Sequence, residues 1–170
     1  MKHKPMDFEE LDKLFSYKHK TGNIRNKIDR GSYGRLKAGD IATSRHSQGY
    51  LELSVFYCKY LAHRVAWILY YGVDPGNKQI DHINHDRDDN RIENLRLVNN
   101  RENRLNNTRP KHNTSGVVGV SWNKRAGKWE AHIQENGKKS NLGLFDDKWD
   151  AICRRKSAER RLGYHPNHGK

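Results

Sequence analysis

Residues 78–107 restrict the fold of this chain more than any other segment. They read KQIDHINHDRDDNRIENLRLVNNRENRLNN and place many short polar side chains around a few isolated apolar residues. Such a segment cannot line a hydrophobic core, so it must form a polar loop or site. The residues alone leave three interpretations open: a loop that binds Ca²⁺, an ordinary turn, or a site that holds a metal ion beside a histidine.

The composition favours a polyanion as the partner. The chain has 170 residues, of which 34% are hydrophobic, so any core is modest or divided among small modules. Its formal net charge is +13, and residues 104–170 alone hold 15 basic and 6 acidic side chains. Nucleic acid is favoured over a membrane, because the sequence shows no long apolar run and no signal peptide.

The two cysteines indicate the compartment. Cys58 and Cys153 are far apart in the sequence and form no C-x-x-C pair. We therefore expect free thiols, no cysteine-ligated zinc, and a reducing cytoplasm.

Short apolar runs separated by glycine-containing turns predict a β-rich N-terminal region. From Leu14 to Leu61 the pattern favours a small antiparallel meander, preceded by a helical turn in DFEELDKLF. AHRVAWILYYG then predicts a helix that ends at Gly72. In the polar segment, KQIDH and LRLV predict two strands, and NNRENRLNN predicts a helix start capped by Asn99 or Asn100.

The C-terminal part predicts three antiparallel strands and one helix. The strands are VVGVSWNK, KWEAHIQE and KSNLGLF, and an Asn-Gly pair marks the second turn. Asp146 or Asp147 is expected to cap the helix, which runs to about Leu162. Its sheet-facing residues are expected to be Trp149, Ile152 and Cys153. We expect Trp129 and Trp149 in the core, and residues 154–156 on an exposed helix face.

The polar segment carries groups that suit phosphodiester hydrolysis. That reaction needs a base to activate water and a cation to neutralise charge on the phosphate. Asp81 and Asn103 offer hard oxygen ligands for Mg²⁺, which takes few ligands from the protein. An unperturbed histidine has a pKa of about 6.5, so His82 is expected to be available as a general base near neutral pH.

The string LAHRVAW followed by IDHINHDRDDNRIENLRLVNNRENRLN resembles the HNH family of ββα-metal nucleases, especially the branch of phage and intron-encoded homing endonucleases. The resemblance covers roughly Leu61–Asn107. It implies that His82 is the general base and Asp81 a metal ligand. It also implies that Asn94 ties the two strands together and that Asn103 ligates the metal at the final position. Because that position is Asn rather than His, Mg²⁺ or Mn²⁺ is favoured over softer metals.

Other residues of the segment have plainer interpretations. A Ca²⁺ loop of the EF-hand type would need Glu at its twelfth position, which is absent. Ordinary turn chemistry accounts for Asn84, His85, Asp86, Asp88 and Asp89. Zinc binding by His82 and His85 lacks further soft ligands. Asn90 is expected to close the loop. For the His63-Arg64 pair, a structural role of His63 is favoured over a phosphate contact by Arg64.

The C-terminal segment around Ser115–Leu162 resembles the AP2 DNA-binding domain, a three-stranded sheet packed on one helix. The matching pieces include GKW at residues 127–129, AHI at residues 131–133 and LGLF at residues 142–145. In the plant members a sheet face rich in Arg and Trp lies in the major groove. This chain aligns Ser121, Gln134 and Asn141 at such positions, so base contacts do not transfer directly. The candidate DNA-binding residues are Trp122, Lys124, Arg125, His132, Gln134, Lys138, Lys139 and Asn141.

Together these observations predict an α+β chain with five parts. They are a β-rich N-terminal region (1–60), an HNH ββα-metal nuclease core (61–107), a linker (108–114), an AP2-like DNA-binding module (115–164) and a tail (165–170). We expect a homing-type DNA endonuclease that uses Mg²⁺ or Mn²⁺ and leaves 5′-phosphate and 3′-hydroxyl ends.

The expected partner is double-stranded DNA, with no membrane and no small-molecule substrate. The expected location is the cytoplasm, that of a bacterial host if the gene is phage-borne. The sequence leaves open a monomer or a homodimer, and a nick or a double-strand cut. The alternative function is a DNA-binding regulator with a degenerate HNH unit. An RNA module is less favoured, because no aromatic platform for stacking bases is visible.

Overall fold

A computed structural model describes residues 7–30, 35–56, 58–99, 102–103, 105–135 and 137–170. The chain has a mixed α/β architecture with several small antiparallel sheets, and it divides into two compact units, Met1–Asn100 and Arg101–Lys170. Among the residues described, no helix is both long and apolar enough to span a bilayer. The side chains of Cys58 and Cys153 are exposed free thiols.

The first unit begins with a helix and a hairpin. Helix α1 (Phe8–Leu14) is capped by Asp7, whose carboxylate accepts a hydrogen bond from the Glu9 amide. Strands β1 (Phe15–Lys18) and β2 (Asn23–Asn26) then pair antiparallel. The predicted helical turn is present, extended by the cap to two turns.

A second small sheet follows in the order β3-β4-β5, formed by Ser44–Arg45, Leu51–Val55 and Cys58–Leu61. The predicted single meander is therefore wrong in one respect, because these strands do not extend the β1-β2 hairpin. A long connection separates β2 from β3, and its described residues form two isolated bridges, Arg25–Ile41 and Arg30–Leu36.

Helix α2 (Ala62–Tyr71) lies at the centre of the first unit. It ends at Gly72, which has a left-handed φ of 74° and donates its N–H to the Ile68 carbonyl, as the sequence predicted. Its buried face packs with apolar residues from α1, both small sheets and the strand that follows the polar loop. These partners include Leu11, Phe15, Ile24, Leu53 and Leu95.

The polar segment forms a hairpin as predicted. Strand β6 (Gln79–His82) pairs antiparallel with β7 (Leu95–Val98), and a short 3-10 helix (Ile92–Asn94) ends the intervening loop. We call residues 83–94 the β6–β7 loop. Residues 102 and 103 are helical, whereas Asn100, one of the two predicted caps, lies outside the described residues.

The second unit contains the predicted three strands and helix. Strands β8 (Val120–Asn123), β9 (Lys128–Glu135) and β10 (Lys138–Phe145) form an antiparallel sheet in the order β10-β9-β8. Helix α3 (Lys148–Arg161) packs on it and is capped by Asp147, which accepts the Trp149 amide at 2.5 Å.

The rotational phase of α3 differs from the prediction. Trp149 is 71% exposed and Cys153 is exposed, whereas Ala151, Arg155 and Ala158 form the buried face. Trp149 precedes Ala151 by two residues, which is about 200° around a helix, so the two cannot share a face. Arg155 can be buried because it donates to Glu159 at 2.9 Å and to the His132 carbonyl at 2.8 Å. The expectation of an exposed face at residues 154–156 is thus wrong at Arg155.

Candidate active site

Strand β6 presents Asp81 and His82 on opposite faces, because neighbouring side chains alternate along a strand. Asp81 stands directly opposite Arg96 on β7, and His82 stands opposite Leu95. His82 is buried, with 4% of its surface exposed. Asp81 keeps 11% of its side-chain surface exposed.

Asp81 is held by Arg96. The guanidinium donates from Nε at 3.0 Å and from Nη2 at 2.8 Å, and both bonds end on the carboxylate oxygen Oδ2. This pair fixes the carboxylate at the edge of the hairpin. Arg96 was not among the predicted site residues, although the antiparallel register of the two predicted strands places it across from Asp81.

Three groups surround the His82 ring. The rings of His63 and Tyr50 lie 5.1 Å and 5.9 Å away between centroids, and Asn90 Oδ1 lies 3.2 Å from Nε2. Burial lowers the pKa of His82 below its ordinary value, while the Asn90 bond and the charge of Asp81 partly oppose this. His82 is therefore neutral at neutral pH.

The amide of Asn90 determines which ring nitrogen of His82 carries the proton. Its Nδ2 makes a long hydrogen bond of 3.5 Å to the Asp88 carbonyl, so Oδ1 faces the imidazole. An amide oxygen only accepts, so this orientation of the Asn90 amide assigns the proton to Nε2. In the neutral ring Nδ1 then carries the lone pair that can accept a proton.

Asn94 connects the two ends of the β6–β7 loop. Its Oδ1 accepts from the Asn84 amide at 3.0 Å, and its Nδ2 donates to the Asp89 carbonyl at 2.8 Å. Its own carbonyl accepts from the Ile83 amide at 2.9 Å. Because Asn94 is 95% buried from solvent, with 5% exposed, these bonds keep the loop closed.

The other polar residues of the loop make turns and ion pairs, of which the pair between Asp88 and Arg45 reaches outside the loop. Asn84, Asp86 and Asp89 each accept a backbone N–H two residues ahead. Hydrogen bonds from Arg91 lower the pKa of Asp89. His85 has a left-handed φ of 67°, as tight turns require. These contacts are those of an ordinary turn.

His63 and Arg64 lie at the start of α2. Burial, followed by the charges of His82 and Arg64, lowers the pKa of His63 to about 3, so its ring is neutral. Its Nδ1 is buried and has no hydrogen-bond partner among the described residues. Arg64 forms an ion pair with Asp74 and donates to the Gly76 carbonyl at 2.8 Å, so a phosphate would have to compete with these acceptors.

The predicted metal ligands are Asp81 and Asn103. Across the described ranges no group of three or more His, Cys, Asp or Glu side chains could hold an ion. Asp81 supplies one carboxylate, and Asn103, half-buried and helical, belongs to the unit Arg101–Lys170. A carboxylate oxygen and a carboxamide oxygen are both hard donors of the kind that Mg²⁺ binds.

The sheet of the second unit divides the DNA-binding candidates between two faces. Val120, Ala131 and Ile133 face the core, so the alternate positions lie on the face away from α3. That helix-free face carries His132, Gln134, Lys139 and Asn141. By the same alternation Trp122 and Lys138 belong to the helix side, where Trp122 contacts Trp129 at 5.3 Å between ring centroids. Lys124 and Arg125 lie in the β8–β9 turn.

Two comparisons with known proteins gave matches. The HNH endonuclease family matches residues 60–105. Protein 3.8 of Escherichia phage T7 is 36% identical over 91 residues, which cover 54% of this chain and 75% of the phage protein. No solved structure matches the chain.

Proposed function

The chain belongs to the family of Protein 3.8 of Escherichia phage T7 and contains an HNH endonuclease domain, and from this we propose that it is a divalent-metal-dependent DNA endonuclease. It would hydrolyse phosphodiester bonds and leave 5′-phosphate and 3′-hydroxyl ends. A homing-type enzyme of a phage or mobile element is the setting that the family resemblance favours.

The observation that carries this proposal is the state of His82. Burial keeps the ring neutral, and Asn90 holds the proton on Nε2, 3.2 Å from the amide oxygen. A neutral imidazole oriented by its second nitrogen is the usual form of a general base. His82 Nδ1 is thus the atom that we assign to proton abstraction.

In the proposed reaction His82 Nδ1 takes a proton from water as the water oxygen bonds to phosphorus. The bond between phosphorus and the 3′-oxygen breaks, and the leaving oxygen gains a proton from solvent. Asp81 and Asn103 would hold a divalent cation, Mg²⁺ or Mn²⁺. When bound, such a cation neutralises the charge on the phosphate and on the leaving oxygen.

The proposal also includes the fold types of the two segments that would act on DNA. We propose that β6 and β7 belong to a ββα-metal unit, as the family resemblance implies, and that residues 115–164 form an AP2-like module. On the helix-free face of that module, Gln134 and Asn141 are suited to base edges and Lys139 to a phosphate. The high positive charge of residues 104–170 supports DNA binding there.

A second candidate function is a DNA-binding regulator that does not cut. The ion pair between Asp81 and Arg96 favours it, because the guanidinium already neutralises the carboxylate that would face the cation. In that case the protein would still bind DNA through the helix-free face, helped by its net charge of +13.

Conversion of supercoiled plasmid to nicked or linear DNA distinguishes the two functions. We expect cutting with Mg²⁺ or Mn²⁺ on DNA that includes phage genomic sequence, and none with EDTA. His82→Ala should abolish cutting while DNA binding in a shift assay is retained. His112→Ala, which removes an exposed histidine, is the matched control. Binding without cutting by the wild type, on every DNA and with both metals, would favour the regulator.

A further inference from the structure

Two turns of the N-terminal strands contact the β6–β7 loop. In the β1–β2 turn region, the Tyr17 hydroxyl donates to the Asn90 carbonyl at 2.7 Å, and the His19 carbonyl accepts from the Ile92 amide at 3.3 Å. Between β3 and β4, the Gln48 carbonyl accepts from Arg87 at 2.7 Å. The N-terminal strands therefore hold the loop at several points.

The β1–β2 turn approaches the loop as closely as backbone allows. Gly22 has a φ of 75°, and a Cβ at this position would lie 2.8 Å from both the Asn90 carbonyl carbon and the Arg91 nitrogen. Real Cβ atoms do not approach backbone atoms so closely, so only glycine fits without displacing the loop. The contact is thus a packed interface between two backbone segments.

Asn90 links this interface to His82. Its carbonyl oxygen accepts the Tyr17 hydroxyl, and its side-chain Oδ1 contacts His82 Nε2 at 3.2 Å. Asn90 is 1% exposed, so water cannot replace either bond. Burial raises the pKa of Tyr17, which keeps the hydroxyl protonated as a donor at neutral pH.

We propose that Tyr17 is a positioning residue for the HNH site, acting through Asn90 to fix the orientation of the His82 imidazole. The inference rests on the proposed nuclease function for its effect on rate. Its effect on the ring is independent of that function.

The expected consequence is a loss of turnover rather than of DNA binding. Without the hydroxyl, the peptide that carries Asn90 loses its anchor, and the amide that orients Nε2 can shift. General bases tolerate little displacement, because an error of about 1 Å can reduce the rate by about 100-fold. Since one hydrogen bond of several is removed, we expect Tyr17→Phe to reduce kcat by about tenfold with KM unchanged.

The test combines NMR of histidine-labelled protein with cleavage kinetics. The His82 ring signals, assigned by their absence in His82→Ala, are compared between the wild type and Tyr17→Phe. The matched control is Tyr164→Phe, because the Tyr164 hydroxyl also donates to a backbone carbonyl, that of Gln134, at 2.7 Å. We expect Tyr17→Phe, but not Tyr164→Phe, to move the His82 signals.

A purely structural role for Tyr17 would give a different pattern. Both tyrosine variants would then lower the unfolding midpoint and leave the His82 signals in place, which would overturn the proposal. Gly22→Ala provides a second variant that displaces the same loop, at Asn90 and Arg91, and it should move the same signals. If the wild type does not cut DNA, the proposed function fails, while the NMR comparison still decides whether Tyr17 positions His82.

Discussion

The buried ring of His63 makes the stability of the first unit dependent on pH. Its pKa is lowered from 6.5 to about 3 in the folded chain, chiefly by burial. Between these two values the unfolded chain binds one more proton than the folded chain at this site. Unfolding is therefore favoured as pH falls, and the stability contributed by the neutral ring is fully present only above pH 6.5.

The magnitude follows from the width of that window. Each pH unit below 6.5 costs about 1.4 kcal/mol as long as the folded ring stays neutral. From pH 7 to pH 5 the wild type should lose about 2 kcal/mol of unfolding free energy through His63. His63→Gln removes the titrating group, so the variant should lose that much less over the same interval.

Urea denaturation at pH 5, 6 and 7, followed by circular dichroism, measures the difference. His112→Gln is the control, because His112 is exposed and its replacement should leave the pH dependence unchanged. Parallel curves of unfolding free energy against pH for the wild type and His63→Gln would refute the reasoning. Parallel curves would mean that the His63 ring binds a proton in the folded chain as readily as in the unfolded chain.

Three further predictions concern the second unit. Gly119→Ala should lower the unfolding free energy by about 2 to 3 kcal/mol. The new Cβ would lie 2.4 Å from a backbone carbonyl oxygen. Gly127→Ala, also at positive φ but with no atom within 4 Å of the new Cβ, should lower the unfolding free energy by only about 1 kcal/mol. Glu159→Ala should lower the unfolding free energy, measured by urea denaturation, by about 3 to 5 kcal/mol, because it leaves the Arg155 charge buried without a carboxylate partner. Adding Arg155→Met should restore part of that free energy. Gln134→Ala should weaken binding to the target sequence by about 1 kcal/mol in a shift assay, with binding to random DNA unchanged; equal weakening on both would contradict base readout.

Secondary structure was largely predictable because its determinants are local. Gly72 ends α2 by adopting the left-handed conformation, and Asp147 caps α3 with its own side chain. The strands on either side of the β6–β7 loop likewise follow from short apolar runs next to turn residues. The prediction of a single meander was wrong because short apolar runs do not show which strands pair across a long connection.

Side-chain partners were less predictable because they depend on distant residues. The hydroxyl of Tyr17 and the carbonyl of Asn90 are 73 residues apart in the sequence, and no local pattern joins them. Arg96 was within reach of the reasoning, since an antiparallel register places it opposite Asp81. The burial of Arg155 was missed because the phase of an amphipathic helix with few large apolar residues is poorly defined by its sequence.

The close fit between the N-terminal strands and the loop has a consequence for how this chain can be inherited. The segment that matches the HNH family starts at residue 60, yet Phe15, Ile24 and Leu53 supply part of the apolar cluster in which α2 and Leu95 are buried. A gene fragment encoding only the matched segment would transfer α2 and the β6–β7 hairpin without the upstream residues that pack against them. Recombination between genomes would therefore succeed only when the upstream coding sequence travels with the segment, so both parts are expected to share one ancestry.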